Sequence, residues 1–478
     1  MKKSLKLVLF NSTLVIGLMA SVLSVVQVPV QGKSKETSYL IAYKKDLPDD
    51  FEEQIEEAGG KVGTVVEEIG IVSATSDDPD FFDNVAAFKD VLSAEEELEI
   101  LLDEEEPEAA DGQMITDVPQ PDWDDPDQTY HDLQWDVKRI TNDFASHEIS
   151  KGDSGTVVGI IDTGMDFDHP DLRNNADEEG SKTFVPGTDD AWDENGHGTH
   201  VAGSIAGDGK VLGIGPKLTV RAYRVFGATG GAQQSWITDA LVAAANDKVD
   251  VVNMSLGGWR WMAHNYGEKG ESASIVAYHR AVQYAVKKGV TVVVAAGNDS
   301  RELGNIKDMR EYWKETYGLD IKGPSRVVPA QIPGVITVSA TNEWSDEKIA
   351  FYSNYGNPID IAAPGGDNGP VYDELYREDP KGDYLDKRDF HYRTISTWPT
   401  YLPPYFTSNL KGYAYLHGTS MAAPKVAGIA AVIKSEHPNY SPVQVAALIR
   451  KTADDYGKRG QDKYFGAGEA NIFNALED

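Results

Sequence analysis

Val157-Val158-Gly159-Ile160-Ile161-Asp162-Thr163-Gly164 is an apolar run that ends on a carboxylate and a turn. Such a run predicts a strand of an open α/β sheet, where functional groups gather at the carboxyl ends of the strands. Two further stretches place reactive groups at similar points. Asn195-Gly196-His197-Gly198-Thr199-His200-Val201-Ala202-Gly203 puts an imidazole at the start of a small-residue helix. Gly418-Thr419-Ser420-Met421-Ala422-Ala423-Pro424 starts another helix with a hydroxyl, flanked by residues too small to cover it. Asp, His and Ser follow one of the three chain orders known for a nucleophilic triad. A lone Ser in this setting is usually a helix cap. Its company with Asp162 and His197 argues for chemistry instead.

These blocks resemble the signature segments of the subtilisin-like serine peptidases. The resemblance runs from Gln134 to Leu476 and includes Asn253-Met254-Ser255-Leu256-Gly257-Gly258 and Ala295-Ala296-Gly297-Asn298. It implies an α/β fold over residues 128–478, a mostly parallel sheet with helices on both faces. An Ala- and Gly-rich helix, Met421–Lys434, would run through its centre. It also implies roles: Ser420 as nucleophile, His197 as its base, and Asp162 holding the imidazole in the right tautomer. Asn298 and the backbone N–H of Ser420 would donate to the oxyanion. Ser255, Leu256 and Gly257, and across from them Gly231, Ala232 and Gln233, match the two segments that pair with a bound peptide as strands.

The 478 residues carry 44 Lys+Arg, 77 Asp+Glu and no Cys, a formal net charge of −33. This balance argues against nucleic acid or an anionic membrane surface as partner, since both call for a basic face. The absence of Cys removes disulfides, cysteine nucleophiles and Cys-ligated metals. His200 follows His197 by three residues, but without an adjacent Glu or a third ligand it reads as a packed histidine, not half of a zinc site. The chemistry requires no cofactor and no metal is assigned. Calcium is weighed because Asp171 matches a family ligand position; the loop Gly207-Asp208-Gly209-Lys210 is shorter than in the calcium-binding members. The run around Asp189, Asp190 and Asp193 reads as solvated turn carboxylates.

Upstream, Lys2, Lys3 and Lys6 precede an apolar run from Leu7 to Val30, so residues 1–32 read as a signal peptide with Val30-Gln31-Gly32 at its end. Secretion to the extracellular space, without a stable membrane anchor, follows. Residues 33–99 read as strand, helix, two strands, helix, strand, a small ferredoxin-like α+β sandwich. The helices are expected at Asp49–Ala58 and Asp78–Lys89 and the last strand at Val91–Leu98. Tyr39–Lys45 and Ala58-Gly59-Gly60-Lys61-Val62 resemble the family's inhibitory propeptide, which implies an intramolecular inhibitor. Residues 100–127, dense in Asp, Glu and Pro, read as an acidic linker holding the maturation site.

The expectation is thus a secreted, monomeric serine endopeptidase made as an autoinhibited zymogen and acting on peptides or proteins. Ala363-Pro364-Gly365-Gly366-Asp367 and Pro424-Lys425-Val426 are similar to the branch that removes leader peptides from lanthipeptide precursors. A dedicated leader peptidase is therefore the alternative, and a catalytically silent binding protein on the same fold is the competitor from another class. Insertions at 301–322 and 366–393 are expected beside the groove. Val327 is expected in the pocket for the residue preceding the scissile bond. Arg326 reads either as a partner for an acidic side chain there or as a plain surface residue.

Overall fold

The computed structural model describes residues 36–102, 122, 124, 125, 127–228, 230–261, 273–318, 320–405 and 410–478. The expected signal peptide, residues 1–32, lies outside them, as does most of the acidic linker.

The N-terminal unit comprises β1 (Thr37–Tyr43), α1 (Phe51–Glu57), β2 (Lys61–Val66), β3 (Ile71–Ser76), α2 (Phe81–Ala86) and β4 (Val91–Glu96). Its strands form an antiparallel sheet in the order β2-β3-β1-β4, a ferredoxin-like arrangement. Both helices are shorter than the periodicity predicts; α1 stops before Gly59, whose φ of 93° suits glycine. The apolar run in β1 has a simple cause. Tyr39, Ile41 and Tyr43 face the unit's own core with Ile55, Phe81 and Val85. Leu40 and Ala42 face the other way, into a core shared with the larger unit. A sheet covered on both faces needs apolar residues at every position.

The larger unit is led by β5 (Glu99–Leu101), α3 (Trp135–Thr141), α4 (Ser146–Ile149), β6 (Val157–Asp162), β7 (Lys182–Thr183) and α5 (His197–Ala206). Next come β8 (Thr219–Arg224), β9 (Gly231–Gln233), α6 (Gln234–Asn246), β10 (Val251–Met254), β11 (Gly258–Trp261), α7 (Ala273–Lys287) and β12 (Thr291–Ala295). They are followed by β13 (Glu302–Leu303), α8 (Ile306–Tyr317), β14 (Ser325–Val328), β15 (Val335–Thr341), β16 (Tyr355–Gly356), β17 (Ile361–Pro364) and α9 (Pro370–Glu378). The chain closes with β18 (Thr394–Thr397), β19 (Tyr413–Leu416), α10 (Thr419–Glu436), α11 (Pro442–Lys451) and α12 (Ile472–Glu477).

Seven strands make one parallel sheet in the order β17-β15-β12-β10-β6-β8-β7. Successive residues alternate between two cores. Ile161, Val252, Val292 and Val294 pack on the side of α6 and α7. Ile160, Val251, Val293 and Ala295 pack on the side of α5 and α10. This is the mostly parallel sheet with helices on both faces that the resemblance implies. The strand order turns back around β6, so its carboxyl end opens on a crevice, the place for a site in such sheets. The central helix is longer than expected, Thr419–Glu436 against Met421–Lys434. Its small residues permit close packing: a Cβ on Gly428 would stand 2.8 Å from Ile214.

One boundary is corrected. Glu99–Leu101, placed at the edge of a linker by their acidic surroundings, form a strand antiparallel to β9. Ile100 is buried there, and Leu102 donates its N–H to the Gly230 carbonyl at 2.9 Å. A groove partner 130 residues away supplies what local composition could not.

Candidate active site

Asp162 ends β6 fully buried. Its Oδ1 accepts from the N–H of Thr163 at 2.8 Å and lies 2.8 Å from Nδ1 of His197. His197 begins α5, and several contacts fix where that helix starts. Thr163 Oγ1 accepts from the N–H of Gly198 at 2.8 Å, tying the helix to the end of β6. Asp193 accepts from the N–H groups of Gly196 and Thr199 at 2.8 and 2.9 Å. Its carboxylate thus caps the first turn, a favourable place for negative charge, and is no solvated turn group as the sequence reading had it. Gly196 has a φ of 115°, and a Cβ there would meet the Trp398 ring at 2.3 Å.

Ser420 lies in the first turn of α10, after Gly418 at a φ of 151°. Its Oγ donates to the Ser255 carbonyl at 3.2 Å. Asn298 Oδ1 accepts from the N–H and hydroxyl of Thr419 at 2.9 and 2.8 Å. With that oxygen committed, the Nδ2 protons are the ones available to a ligand. His197, Asn298 and Ser420 line one pocket together with Leu256, Gly257 and Val327. Arg326 is not among the residues lining it; neighbours along a strand face opposite ways, and Val327 takes the inward place.

Gly231, Ala232 and Gln233 form the strand that takes up Glu99–Leu101. Ser255, Leu256 and Gly257 line the opposite wall, where the described backbone hydrogen bonds include none to residues 99–102. Leu101 and Leu102 are among the residues lining the pocket that holds His197 and Ser420. Sequence reasoning expected an inhibitory pro-segment but assigned these residues to the linker. Their signal was the apolar triplet Ile100-Leu101-Leu102, set directly after an acidic run.

His200 is buried behind the site, with Nε2 donating to the Ala414 carbonyl at 3.1 Å. Burial, with the nearby Lys425 and His197, lowers its pKa to about 3. It is a neutral packing residue at any ordinary pH. The loop after α5 does not fit a divalent cation. Asp171 Oδ2 already accepts from the Val211 N–H at 2.9 Å and the Tyr413 hydroxyl at 3.0 Å. The Lys210 ammonium donates to the carbonyls of Asp125 and Gln128, both at 2.9 Å, so a cation is already built in. The insertions carry α8 and α9; Asp299, beside the groove, accepts from the Tyr312 hydroxyl of α8 at 3.1 Å.

Comparison with known proteins agrees with this geometry. The model of the subtilase family matches residues 153–468. The chain is 30% identical over 374 residues to the epidermin leader peptide-processing serine protease EpiP of Staphylococcus epidermidis, covering 73% of this chain and 75% of that protein. It is 31% identical over 339 residues to the nisin leader peptide-processing serine protease NisP of Lactococcus lactis, covering 67% of this chain and 46% of that one. The crystal structure of the epidermin leader peptide-processing protease from Staphylococcus aureus matches with a TM-score of 0.73 at 26% identity, over 92% of this chain and 98% of that one. The protein belongs to the subtilase family of serine peptidases.

Proposed function

We propose that this serine peptidase is exported as a zymogen, that residues 36–102 block its groove until they are cut away, and that the mature enzyme removes the leader from a lanthipeptide-type precursor. One observation carries the zymogen reading: β5 occupies β9 as an added strand and runs Leu101 and Leu102 into the pocket of His197 and Ser420. The named activities of the relatives from Staphylococcus and Lactococcus support the leader-peptidase reading. The apolar run after Lys2, Lys3 and Lys6 supports export. No helix among the described residues is long and apolar enough to cross a membrane.

In this reading a substrate replaces β5 on β9, so backbone hydrogen bonds position it whatever its side chains. Ser420 attacks the scissile carbonyl while His197 takes the hydroxyl proton and later gives it to the leaving amine. Asp162 holds Nδ1 of His197 and so fixes the tautomer that leaves Nε2 free to act as base. The oxyanion is met by Asn298 Nδ2 and by the N–H of Ser420 at the positive end of α10. No metal and no cofactor takes part.

The test is to incubate the processed enzyme with a lanthipeptide precursor and, separately, with casein, following products by mass spectrometry. Cleavage of the precursor at one bond, with casein largely spared, is the expected result. Broad digestion of both would make it a general endopeptidase. Failure of a fluorophosphonate to label Ser420 would leave a silent binding protein.

A further inference from the structure

The segment that leads into the groove brings two carboxylates to the catalytic unit ahead of β5. Glu97 Oε1 accepts from the backbone N–H of Ser235 at 2.7 Å, in the first turn of α6. Glu95 Oε1 accepts from the backbone N–H of Ser274 at 2.7 Å, in the first turn of α7. The two helices, of 13 and 15 residues, pack on each other and present their positive ends to the same stretch of chain, Glu95 to Glu97. Gln234 joins those ends, its Nε2 donating to the Ser274 carbonyl at 2.8 Å.

Arg260 of β11 completes the cluster. It is only 3% exposed, with Nε on Gln234 Oε1 at 3.3 Å and Nη1 on the Trp259 carbonyl at 2.9 Å. Its Nη2 has no hydrogen-bond partner among the described residues. Glu95 and Glu97 both act electrostatically on this guanidinium. A buried cation with a donor to spare is costly unless an anion is supplied. On a chain of net charge −33, so concentrated a positive site has a use.

Glu95 and Glu97 are two residues apart, so they share one side of an extended chain, while Glu96 between them is exposed. Resting on the peptidase reading above, we infer that Arg260 and the first turns of α6 and α7 remain, after residues 36–102 depart, as a carboxylate-binding subsite of the mature enzyme. The subsite selects substrates with acidic residues seven and five positions before the residue that takes the place of Leu102. The direction of the chain argues for a substrate here and not only for the pro-segment. A peptide laid on β9 in the direction of β5 is carried back, upstream, onto these helix ends. Burial raises the pKa of Glu97, whose two oxygens accept from the Ser235 N–H and, at 2.8 Å, from the Ser38 hydroxyl. Glu95 is the second carboxylate that acts electrostatically on Arg260.

The experiment uses the full chain, allowed to process itself, and fluorogenic peptides copying Ser93 to Pro107. The wild-type enzyme should cut the Glu95→Gln peptide with a kcat/KM roughly tenfold below that of the native peptide, mainly through KM. The Glu97→Ala peptide should also lose, and the Glu96→Gln peptide should not. In an Arg260→Met enzyme the ratio between native and Glu95→Gln peptides should fall toward one, whereas Arg260→Lys should keep most of it. Equal cleavage of native and Glu95→Gln peptides by wild-type enzyme overturns the inference without any enzyme variant. So does discrimination that survives Arg260→Met. An enzyme that labels at Ser420 and digests casein but cuts none of these peptides also overturns it, while the peptidase reading stands. A chain that neither labels nor cuts removes both.

Discussion

The Ser255 hydroxyl donates to the carbonyl oxygen of Ser420 at 2.7 Å. Pro424, four residues further along α10, has no N–H to give that oxygen. Ser255 supplies the missing bond, and Ser420 Oγ returns one to the Ser255 carbonyl at 3.2 Å. The groove wall and the first turn of the catalytic helix therefore hold each other in place.

Ser255→Ala leaves the partly buried Ser420 carbonyl without this bond, at a cost of about 1 kcal/mol in stability. It should lower kcat more than it raises KM, because Ser420 loses its positioning and the walls of the groove stay. Ser255→Thr, which retains a hydroxyl, should recover most of both. Urea midpoints and steady-state kinetics on the three proteins check this.

Asn298→Ala removes the side-chain donor proposed above for the oxyanion. The expected loss is roughly 10²–10³ in kcat with KM nearly unchanged, the range already known for the corresponding donor in subtilisin itself. Fluorophosphonate labelling of Ser420 should still occur, since the nucleophile and its base are untouched. A loss confined to KM would assign Asn298 to ground-state binding.

Because the Lys210 ammonium occupies the loop after α5, chelation should not matter. Dialysis against EDTA should leave the Tm unchanged. Lys210→Met should lower it, by loosening the contact of that loop with Asp125 and Gln128. A Tm that falls with EDTA and returns with calcium would contradict the reading of this loop.

Two buried groups give stability opposite slopes with pH. Burial lowers His147 to about 4, below its ordinary 6.5. Between those values the unfolded chain binds more protons, so stability falls as pH drops from 6.5 toward 4. Burial raises Asp367 to about 7 from its ordinary 3.8. There the folded chain binds more protons, and stability falls as pH rises from 3.8 toward 7. His147→Gln should flatten the acid-side loss and Asp367→Asn the loss on raising pH, each by about 1–3 kcal/mol across its window. Urea midpoints across both windows read the slopes directly.

What was legible in the sequence were the features written locally. Asp162, His197 and Ser420 each sit at the junction of an apolar run and a turn, and such junctions have a recognisable chemistry and spacing. The parallel sheet was implied by the resemblance, and the mostly apolar β6, β10 and β12, broken only by such residues as Asp162, Asn253 and Thr291, agree with strands that lie between two cores. What stayed hidden depends on partners far along the chain. Lys425 was read only within Pro424-Lys425-Val426, whereas its ion pair with Asp136, 2.7 Å long and almost fully buried, joins α10 to α3 across the fold. Asp193 looked like one acid among several until a helix end was seen above it. Glu95 and Glu97 fell within the expected strand Val91–Leu98, whose local sequence does not show what its acidic side chains meet. The ends of α6 and α7 make it an interface.

The most direct test of the account is the intact mass and N-terminus of the protein beside its Ser420→Ala variant. The account predicts that the wild type is trimmed within the first residues after Leu102, because Leu101 and Leu102 already line the pocket of His197 and Ser420. The variant keeps residues 36–102. If both proteins keep that segment, or both lose it at the same bond, Ser420 does not process its own chain and the zymogen account is wrong.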